Sequence, residues 1–361
     1  MNTEELLEKI GREGRLAGTD LTGADLSRRD LSEITLEDVR LTRANLEGTI
    51  LSRATLIRVD LSAARLAGAD LTGTGLEGVN LTGAVMPATI LTGTAWQNCS
   101  LAGADLTGAN LAGAMADGVD FAGARAVGAS FVRASLRGCE LTGLDLTEAD
   151  LTGLLAGGGD FTGVVFNKTN ITKGFLMEAK LAKQRFPGCI LLLTRFDQGH
   201  LQEADFSGLD LTQTGFGGAD LTAARFTGSR GKYTLFTACT AAGADFSKTD
   251  YIMANFGEAK LKGSNFQDAR LEKCLFTKSI LEDCSFSRVE APYTNFSRSV
   301  VTGADFSQSR LPRANFHGVR RREARWNGAD TSTILLTDHD LWAAESWTAP
   351  YEHKERRNTR A

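Results

Sequence analysis

The chain has 361 residues, of which 42% are hydrophobic and 23% are charged, and its formal net charge is −4. This weak charge excludes the strongly basic surface of a direct nucleic-acid binder and an extreme acidic surface. No apolar run approaches membrane-spanning length, and the acidic N-terminus lacks the basic and apolar regions of a signal peptide. We therefore expect a cytoplasmic protein, with export by a non-classical secretion system as the alternative.

Residues 3–10 predict a short helix at the start of the chain. Thr3 can cap this helix, and Glu4 suits the positive end of its dipole. We expect residues 1–13 to form an N-terminal capping helix, because the first coil of a repeat structure otherwise offers unpaired backbone groups to another chain.

From Leu16 to Trp326 the sequence repeats every five residues without a shift of frame. Of the 63 central positions, 56 carry a large apolar side chain, and the residue two places earlier is almost always small. A period of five fits neither a helix nor a flat strand, but a chain that turns a corner every five residues would bury all of these side chains. The repeat therefore predicts one elongated solenoid.

Units such as Ala104-Asp105-Leu106 and Ala204-Asp205-Phe206 resemble the pentapeptide-repeat family over about residues 14 to 328. The resemblance implies an all-β fold, a right-handed quadrilateral parallel β-helix of about sixteen coils with short helical caps at both ends. In that fold four units make one coil, and the central residue and the small residue two before it point inward. The implied boundaries are 1–13 for the N-terminal capping helix, 14–337 for the β-helix, and 338–361 for a C-terminal capping helix and charged tail.

The predicted core changes along the chain. Up to about residue 115 the centres are nearly all Leu, whereas every tenth residue from Phe186 to Phe316 is Phe. With twenty residues per coil, these phenylalanines would form two stacked ladders on opposite walls. Gly231 interrupts a third wall, and Tyr251, one coil later, would lean into the space.

All six cysteines occupy the small position two residues before a centre, which predicts inward-facing core residues. A bridge between successive coils would need two cysteines about 20 residues apart on one face, and no pair has that spacing. We therefore expect free thiols, as in a reducing compartment. The six are Cys99, Cys139, Cys189, Cys239, Cys274 and Cys284.

After Trp326 the repeat decays, and Asp338 opens a predicted helix from His339 to Trp347. We expect Leu341, Trp342 and Trp347 to form the C-terminal cap.

The sequence offers no catalytic constellation. The four histidines are scattered, no zinc-type Cys/His spacing occurs, and the glycines follow the repeat rather than a phosphate loop. The periodic carboxylates are predicted to serve solubility and corner hydrogen bonds. We expect no enzyme, no cofactor and no metal, with a site grafted onto the outer wall as the alternative.

One outer wall differs from the other three. On this wall, none of the residues that directly precede a centre is acidic between Thr35 and Asn315. We predict an apolar stripe of Met115, Leu155, Phe175, Leu235 and Leu275 with Met177 beside it, widened by Ile190, Leu192 and Leu193 on the neighbouring wall. Exposed apolar patches usually mark interaction sites, so we expect this wall to dock a protein partner or a second copy. The alternative is that these side chains fold onto the corners and fill local gaps.

The leading functional interpretation is a non-catalytic protein-binding scaffold, a rod about 75 Å long. The resemblance also implies that some members are bacterial effectors or accessory proteins of type VI secretion systems. Other members are DNA mimics that modulate or protect DNA gyrase, which is the alternative function. Those members are strongly acidic, shorter and dimeric through the C-terminal end. This chain is only mildly acidic and carries Arg320, Arg321, Arg322 and Arg325 in its second half.

Overall fold

The computed structural model describes residues 13–347 of the protein. The chain winds into a four-sided parallel β-solenoid, in which each rung pairs with the rung twenty residues later. The predicted fold class is therefore confirmed. No helix within residues 13–347 has the length and hydropathy to cross a bilayer. The predicted N-terminal capping helix falls mostly on residues 1–12, outside the described part of the chain.

One side of the solenoid carries seven three-residue strands that form a continuous sheet in sequence order. They are β1 (Arg15–Ala17), β2 (Thr35–Glu37), β3 (Thr55–Ile57), β4 (Gly75–Glu77), β5 (Ala95–Gln97), β6 (Met115–Asp117) and β7 (Ser135–Arg137). On another side β8 (Arg230–Lys232) pairs in parallel with β9 (Asp250–Ile252). The remaining rungs are single-residue bridges in four columns.

The number of fully regular coils is somewhat lower than the predicted sixteen. Sixteen steps of twenty residues join Arg15 to Leu335, but all four sides pair in thirteen of them. Among the described residues, the bridges Val165–Arg185 and Ile190–Asp210 are absent, on the side opposite β1–β7 and on an adjacent side. The last step pairs on one side only.

Gln184 explains the first missing bridge. It occupies a position that is small in almost every other unit, and its side chain is buried. Its amide Nε2 donates to the carbonyl oxygens of Phe161 at 2.6 Å and Val164 at 3.1 Å. The Val164 carbonyl is the one that the backbone N–H of Arg185 would use in a regular rung, so the side chain replaces a bond between coils.

The phenylalanine ladders form as predicted. Within a ladder the rings are nearly parallel, with centroids 4.5 Å apart between Phe236 and Phe256 and 4.7 Å apart between Phe226 and Phe246. Across the lumen the ladders meet edge to face, since the Phe236 and Phe246 centroids lie 5.5 Å apart at 88°. Both geometries are favourable for aromatic quadrupoles. The rings are fully buried, so the interior is a packed core rather than a channel.

Tyr251 fills the space at Gly231, as the sequence predicts. Its phenol oxygen lies 2.7 Å from the Ser229 hydroxyl, and the side chain is completely buried. A Cβ on Gly231 would come within 3.1 Å of the Tyr251 ring and 2.2 Å of the Thr234 hydroxyl. Burial raises the pKa of the Tyr251 phenol. Glycine is therefore required at position 231 by packing.

The cysteines face inward as predicted, and all six are free thiols. Five are buried, and Cys139 is half-buried. Burial raises the pKa of Cys239, Cys274 and Cys284 to about 12. The Cys284 thiol donates to the Leu261 carbonyl of the previous coil at 2.9 Å, so it acts as a small core residue that also satisfies a backbone acceptor.

Every corner contains a residue with positive φ two places after a centre. Gly73 has a φ of 66°, but Arg58 at 52° and Lys183 at 62° adopt the same conformation without being glycine. The left-handed region suits glycine and is unfavourable for residues with a Cβ. The five-residue repeat therefore depends on a backbone conformation that most side chains resist.

Carboxylates before the centres make the predicted corner hydrogen bonds. Asp160 Oδ1 accepts from the Thr162 backbone N–H at 3.0 Å, and its Oδ2 accepts from Lys180 Nζ of the next coil at 3.1 Å. These hydrogen bonds, first those from Thr162 and then that from Lys180, hold the pKa of Asp160 below its usual value.

The C-terminal helix α1 (His339–Ser346) lies beside the last coils. The Asp338 side chain caps it by accepting from the N–H groups of residues 340 and 341. Glu345 pairs with Arg298 and His317, and the Trp342 ring lies 5.9 Å from the His317 ring.

Helix α1 leaves the last coil open within the described residues. The predicted cap residues Leu341, Trp342 and Trp347 remain exposed, and so does Leu336 of the last coil. At the opposite end Leu16 is buried. Because residues 348–361 lie outside the described part, capping by residues 338–361 stays a prediction.

We predict that Phe256→Ala destabilises the protein by about 3–5 kcal/mol, because it opens a cavity between two stacked rings. The matched variant Phe256→Leu retains most of the buried area and should lose mainly the ring pairing, about 0.5–1.5 kcal/mol. Urea denaturation measures both changes. Amide exchange should rise in the coils next to residue 256 and not in β1–β3, because each coil contacts only its neighbours. Equal losses for the two variants would argue against ring stacking.

We predict that Asp160→Asn lowers stability at neutral pH and loses this effect in acid. The folded pKa of Asp160 is lowered, so its charge contributes stability above the unfolded pKa of about 4, and this is lost as the pH falls through the folded value. Asn keeps an acceptor for Thr162, so the corner geometry is retained. Urea midpoints at pH 7 and pH 3 measure the difference from the wild type, and a difference independent of pH contradicts the prediction.

Candidate protein-docking wall

The apolar wall is the side formed by β1–β7 and continued by single-residue rungs as far as Asn315. Because side chains alternate along a strand, each rung presents the rung residue and the residue two places later. The rung residues are Thr35, Thr55, Gly75, Ala95, Met115, Ser135, Leu155, Phe175, Arg195, Gly215, Leu235, Asn255, Leu275, Asn295 and Asn315. Successive rungs are fixed by main-chain pairing, so this surface is rigid.

The predicted apolar side chains of the wall point to solvent. Met115 is 60% exposed, Leu155 48% and Phe175 46%. Met177, Leu235 and Leu275 are also exposed, although less so. Ile190 is exposed on the adjacent side, Leu193 is exposed at the turn between the two sides, and Leu192 is half-buried. These side chains therefore fill corner gaps only in part.

Other exposed apolar side chains are scattered over the remaining three sides. They are Ile50, Val85, Ile90, Val165 and Ile280. Their neighbours one rung away on the same side are polar or charged, except that the half-buried Val300 follows Ile280. On the apolar wall, by contrast, Leu155 and Phe175 are consecutive rungs and Met177 lies beside them.

The wall carries acids that the sequence prediction missed. Glu37, Glu77, Asp117 and Asp197 occupy the second outward position of their rungs. Asp117 pairs with an arginine in the next coil, Arg137, and this partner holds the pKa of Asp117 below its usual value. The alternation of side chains along a strand was the signal, because residues two places apart share a face.

A groove of about 910 Å³ runs along the wall over β3–β7. The small rung residues Thr55, Gly75 and Ala95 form its floor, and the larger Met115 and Leu155 also line it. The prediction did not include this groove. Its signal in the sequence is the run of small residues at twenty-residue intervals.

An ion pair occupies the middle of the wall. Arg195 Nε donates to Asp197 Oδ2 at 2.5 Å, and Asp197 Oδ1 accepts from the Gly217 N–H at 3.0 Å. A Cβ on Gly215 would lie 2.6 Å from Arg195 Nε, and one on Gly217 would lie 2.8 Å from Asp197 Oδ1. The two glycines therefore make room for the pair. The carboxylate raises the pKa of Arg195.

Two exposed tyrosines lie along the corner that borders the wall. Tyr233 and Tyr293 are exposed, and Lys232 Nζ lies 5.1 Å from the centroid of the Tyr233 ring. They belong to the same twenty-residue column as Leu193 and Lys273. The sequence prediction sorted only the rung residues by side, so it missed this column.

Metal ligands and thiols are the two kinds of reactive group at issue among the described residues. Within residues 13–347 no group of three or more His, Cys, Asp or Glu side chains is placed to hold a metal ion. The raised pKa of the buried thiols keeps them protonated at neutral pH, which makes them poor nucleophiles. The apolar wall can therefore contribute hydrophobic burial, hydrogen bonds and local ion pairs.

Comparisons with known proteins agree with this architecture. The family model for pentapeptide repeats matches in eight copies, over residues 19–56, 49–87, 88–121, 117–153, 189–228, 242–277 and 279–318. The stretch from 154 to 188, which contains Leu155, Phe175 and Met177, lies between two of these matches. No curated protein matches the chain.

Three solved structures of pentapeptide repeat proteins are similar to the chain at low identity. HetL, which is involved in heterocyst differentiation regulation in Nostoc sp. strain PCC 7120, is 18% identical with a TM-score of 0.21; the match covers 94% of this chain and 98% of HetL. QnrB1, a plasmid-mediated fluoroquinolone resistance protein, is 13% identical with a TM-score of 0.28; the match covers 47% of this chain and 97% of QnrB1. Rfr23 from Cyanothece 51142 is 27% identical with a TM-score of 0.17; the match covers 40% of this chain and 97% of Rfr23.

These TM-scores are too low to support any argument about function. The family is shown by the repeat matches, which cover well over half of the chain. The protein is therefore a member of the pentapeptide-repeat family.

Proposed function

We propose that this protein is a non-catalytic scaffold that docks a protein on its apolar wall. The observation that carries the proposal is the run of exposed apolar side chains Leu155, Phe175 and Met177 on consecutive rungs, beside an open groove. A contiguous exposed apolar patch on a rigid surface is typical of an interaction site.

The energetics of such a surface suit protein recognition. Burying a large apolar side chain completely contributes about 1.5–3 kcal/mol relative to full exposure. Phe175 and Leu155 are about half exposed, so each retains about 1 kcal/mol to contribute on binding. Because the solenoid backbone holds the rungs in place, little ordering entropy opposes binding.

Several features support a binding role over catalysis. Within residues 13–347 the lumen is filled by leucine side chains in the first half and by stacked rings in the second, so this part offers no substrate cavity. The groove on the wall is open, and the charged side chains that line it are Glu77, Asp117, Arg133 and Arg137. Asp117 and Arg137 neutralise each other, which is the behaviour of a structural ion pair.

Ion pairs between coils weigh against the alternative of a DNA mimic acting on gyrase. Such a mimic presents rows of unneutralised acids in place of phosphates. In this chain the acids are interrupted by cations of the next coil, as in Arg40–Asp20, Arg230–Asp210 and Arg325–Asp305. A link to type VI secretion stays a prediction from the family resemblance.

We predict that the triple variant Phe175→Asp, Met177→Asp and Leu193→Asp reduces capture of the docked protein at least tenfold. Three charges would have to be desolvated in the interface, which is unfavourable. Affinity capture from the native host followed by mass spectrometry measures this. Val165→Asp is the matched control, since Val165 is equally exposed on the opposite side. Unaltered self-association and partner capture by the triple variant would remove the proposal.

We predict that a molar excess of the protein leaves DNA supercoiling by gyrase unchanged, because its acidic columns are neutralised between coils. A standard supercoiling assay with a strongly acidic gyrase inhibitor as the positive control measures this. Inhibition or protection at stoichiometric concentration would favour the gyrase alternative.

A further inference from the structure

We infer that the protein docked on the apolar wall is a second, antiparallel copy of this chain, with the two-fold axis passing through the rung of Arg195. This inference rests on the proposed function and names its partner. The axis lies in the plane between the two walls, at the level of Arg195. It runs parallel to the rungs and perpendicular to the long axes of both solenoids. Such an axis brings each column of the wall against the same column of the second copy. Rungs equally distant from Arg195 in opposite directions then face each other.

Large side chains on one half of the wall face glycines on the other half in this arrangement. Phe175 faces Gly215 of the second copy, and Met177 faces its Gly217. Both apolar side chains are exposed, and the space over the two glycines holds the Arg195–Asp197 pair of the second copy, with Asp197 beside Gly217. The Arg195 head lies over Gly215, so the Phe175 ring would rest on a guanidinium already paired with Asp197. A cation over an aromatic face is attracted to it.

The column of Leu193, Tyr233, Lys273 and Tyr293, here called the corner column, shows the same complementarity in size. Tyr293 faces Gly93 of the second copy, and Lys273 faces its Gly113. A Cβ at either glycine would meet nothing within 4 Å, so both positions are open. Tyr233 in turn faces Gly153.

Leu193 lies in the corner column at the level of the axis, so it faces Leu193 of the second copy. The three largest exposed side chains of this column between residues 213 and 293 therefore all meet glycine. Glycine at these three positions also suits the positive φ of the corner. Gly93 and Gly113 are open, whereas a Cβ on Gly153 would lie 3.4 Å from Arg133 Cγ.

The remaining apolar rungs pair with one another. Leu155 faces Leu235, and Met115 faces Leu275. All four side chains are exposed in the single chain, so the pairing removes apolar surface from water on both copies.

Charges on the wall are compatible with this register. Lys173 faces Gln213, Arg133 faces Met253, and Arg137 faces Gly257, so no cation meets a cation there. The two copies of Arg195 and the two copies of Asp197 meet near the axis. Each arginine pairs with its own Asp197, and both side chains lean over Gly215 and Gly217 of their own chain, away from the axis.

Other antiparallel registers are less favourable. A shift by one rung in one direction places Lys273 against Arg133, which are like charges. The opposite shift separates Leu155 from Leu235 and Met115 from Leu275. The register centred on Arg195 satisfies the size, apolar and charge matches together.

The area is sufficient for a reversible dimer. The rungs from Met115 to Leu275 span eight steps, or about 38 Å at about 4.8 Å per step. A side of five residues is about 16 Å wide at about 3.3 Å per residue, which gives about 600 Å² per copy and about 1,200 Å² in total. This total is the lower bound of stable interfaces, so the expected dissociation constant is in the micromolar range.

Sedimentation of the full chain between about 1 and 200 μM tests the dimer. We expect a reversible monomer–dimer equilibrium that Phe175→Asp weakens at least tenfold and Val165→Asp leaves unchanged. Circular dichroism and thermal unfolding establish that both variants remain folded. A second variant, Gly93→Gln with Gly113→Gln, fills the open positions without adding charge and should also weaken the dimer, since glutamine adopts the same corner conformation at Gln213.

Spin labels test the orientation. In a Cys139→Ala background, which removes the only cysteine that is not buried, labels are placed at His200→Cys or Ile280→Cys on one side of the solenoid. In the antiparallel dimer the axial separation between copies rises from nearly zero at residue 200 to about 41 Å at residue 280, at about 4.8 Å per coil. A parallel dimer gives the same distance at both sites.

The outcomes separate this inference from the proposed function. A wild-type protein that stays monomeric at 200 μM, or equal label distances, overturns the antiparallel dimer. If host capture still depends on Phe175, Met177 and Leu193, the wall binds a different protein and the proposed function stands. If the triple Asp variant changes neither association nor capture, both fail. Equal weakening by Val165→Asp places the dimer contact elsewhere and also overturns the inference.

Discussion

The corner of each five-residue side is the constraint on which the structure depends. It requires a positive φ, and many of the residues that adopt it carry a Cβ, including Arg58 and Lys183. Such a conformation costs about 1 kcal/mol or more for each residue. The next coil offsets it, because the Arg58 N–H donates to the Glu77 carbonyl at 2.8 Å and the Lys183 N–H to the Gln202 carbonyl at 2.7 Å. Each corner is thus held by its neighbour, and the twenty-residue register cannot slip locally.

A fixed register determines both the inside and the outside of the molecule. Inside, it places residues such as Phe236 and Phe256 at a distance suited to ring stacking, so the packing of the core follows from the register. Outside, it turns sequence columns into physical surfaces, because residues twenty apart lie on adjacent rungs. The filled lumen leaves only these outer columns for recognition. The properties of one column, such as the run through Leu155 and Phe175, therefore become the properties of a binding surface.

The sequence predicts the core and the rung residues well, because both follow from the period alone. The ladders, the filling of Gly231 by Tyr251 and the exposure of Phe175 all follow from position in the frame. The prediction fails where a side chain leaves the pattern. Gln184 takes a carbonyl that the backbone would use, which depends on a rotamer and not on a period. Helix α1 lies beside the coils because Glu345 reaches Arg298 and His317, a tertiary contact with no periodic signal.

The two missing bridges give the rod an uneven bending stiffness. Val165 does not pair with Arg185 on the side opposite the apolar wall, and Ile190 does not pair with Asp210 on an adjacent side. At the same height the apolar wall keeps its pairing through Phe175 and Arg195. Inter-coil bonds resist spreading of the coils, and on the opposite side the Gln184 side chain supplies such bonds to Phe161 and Val164. At this level the rod therefore opens most readily around Ile190 and Asp210, while the apolar wall keeps the spacing of its rungs.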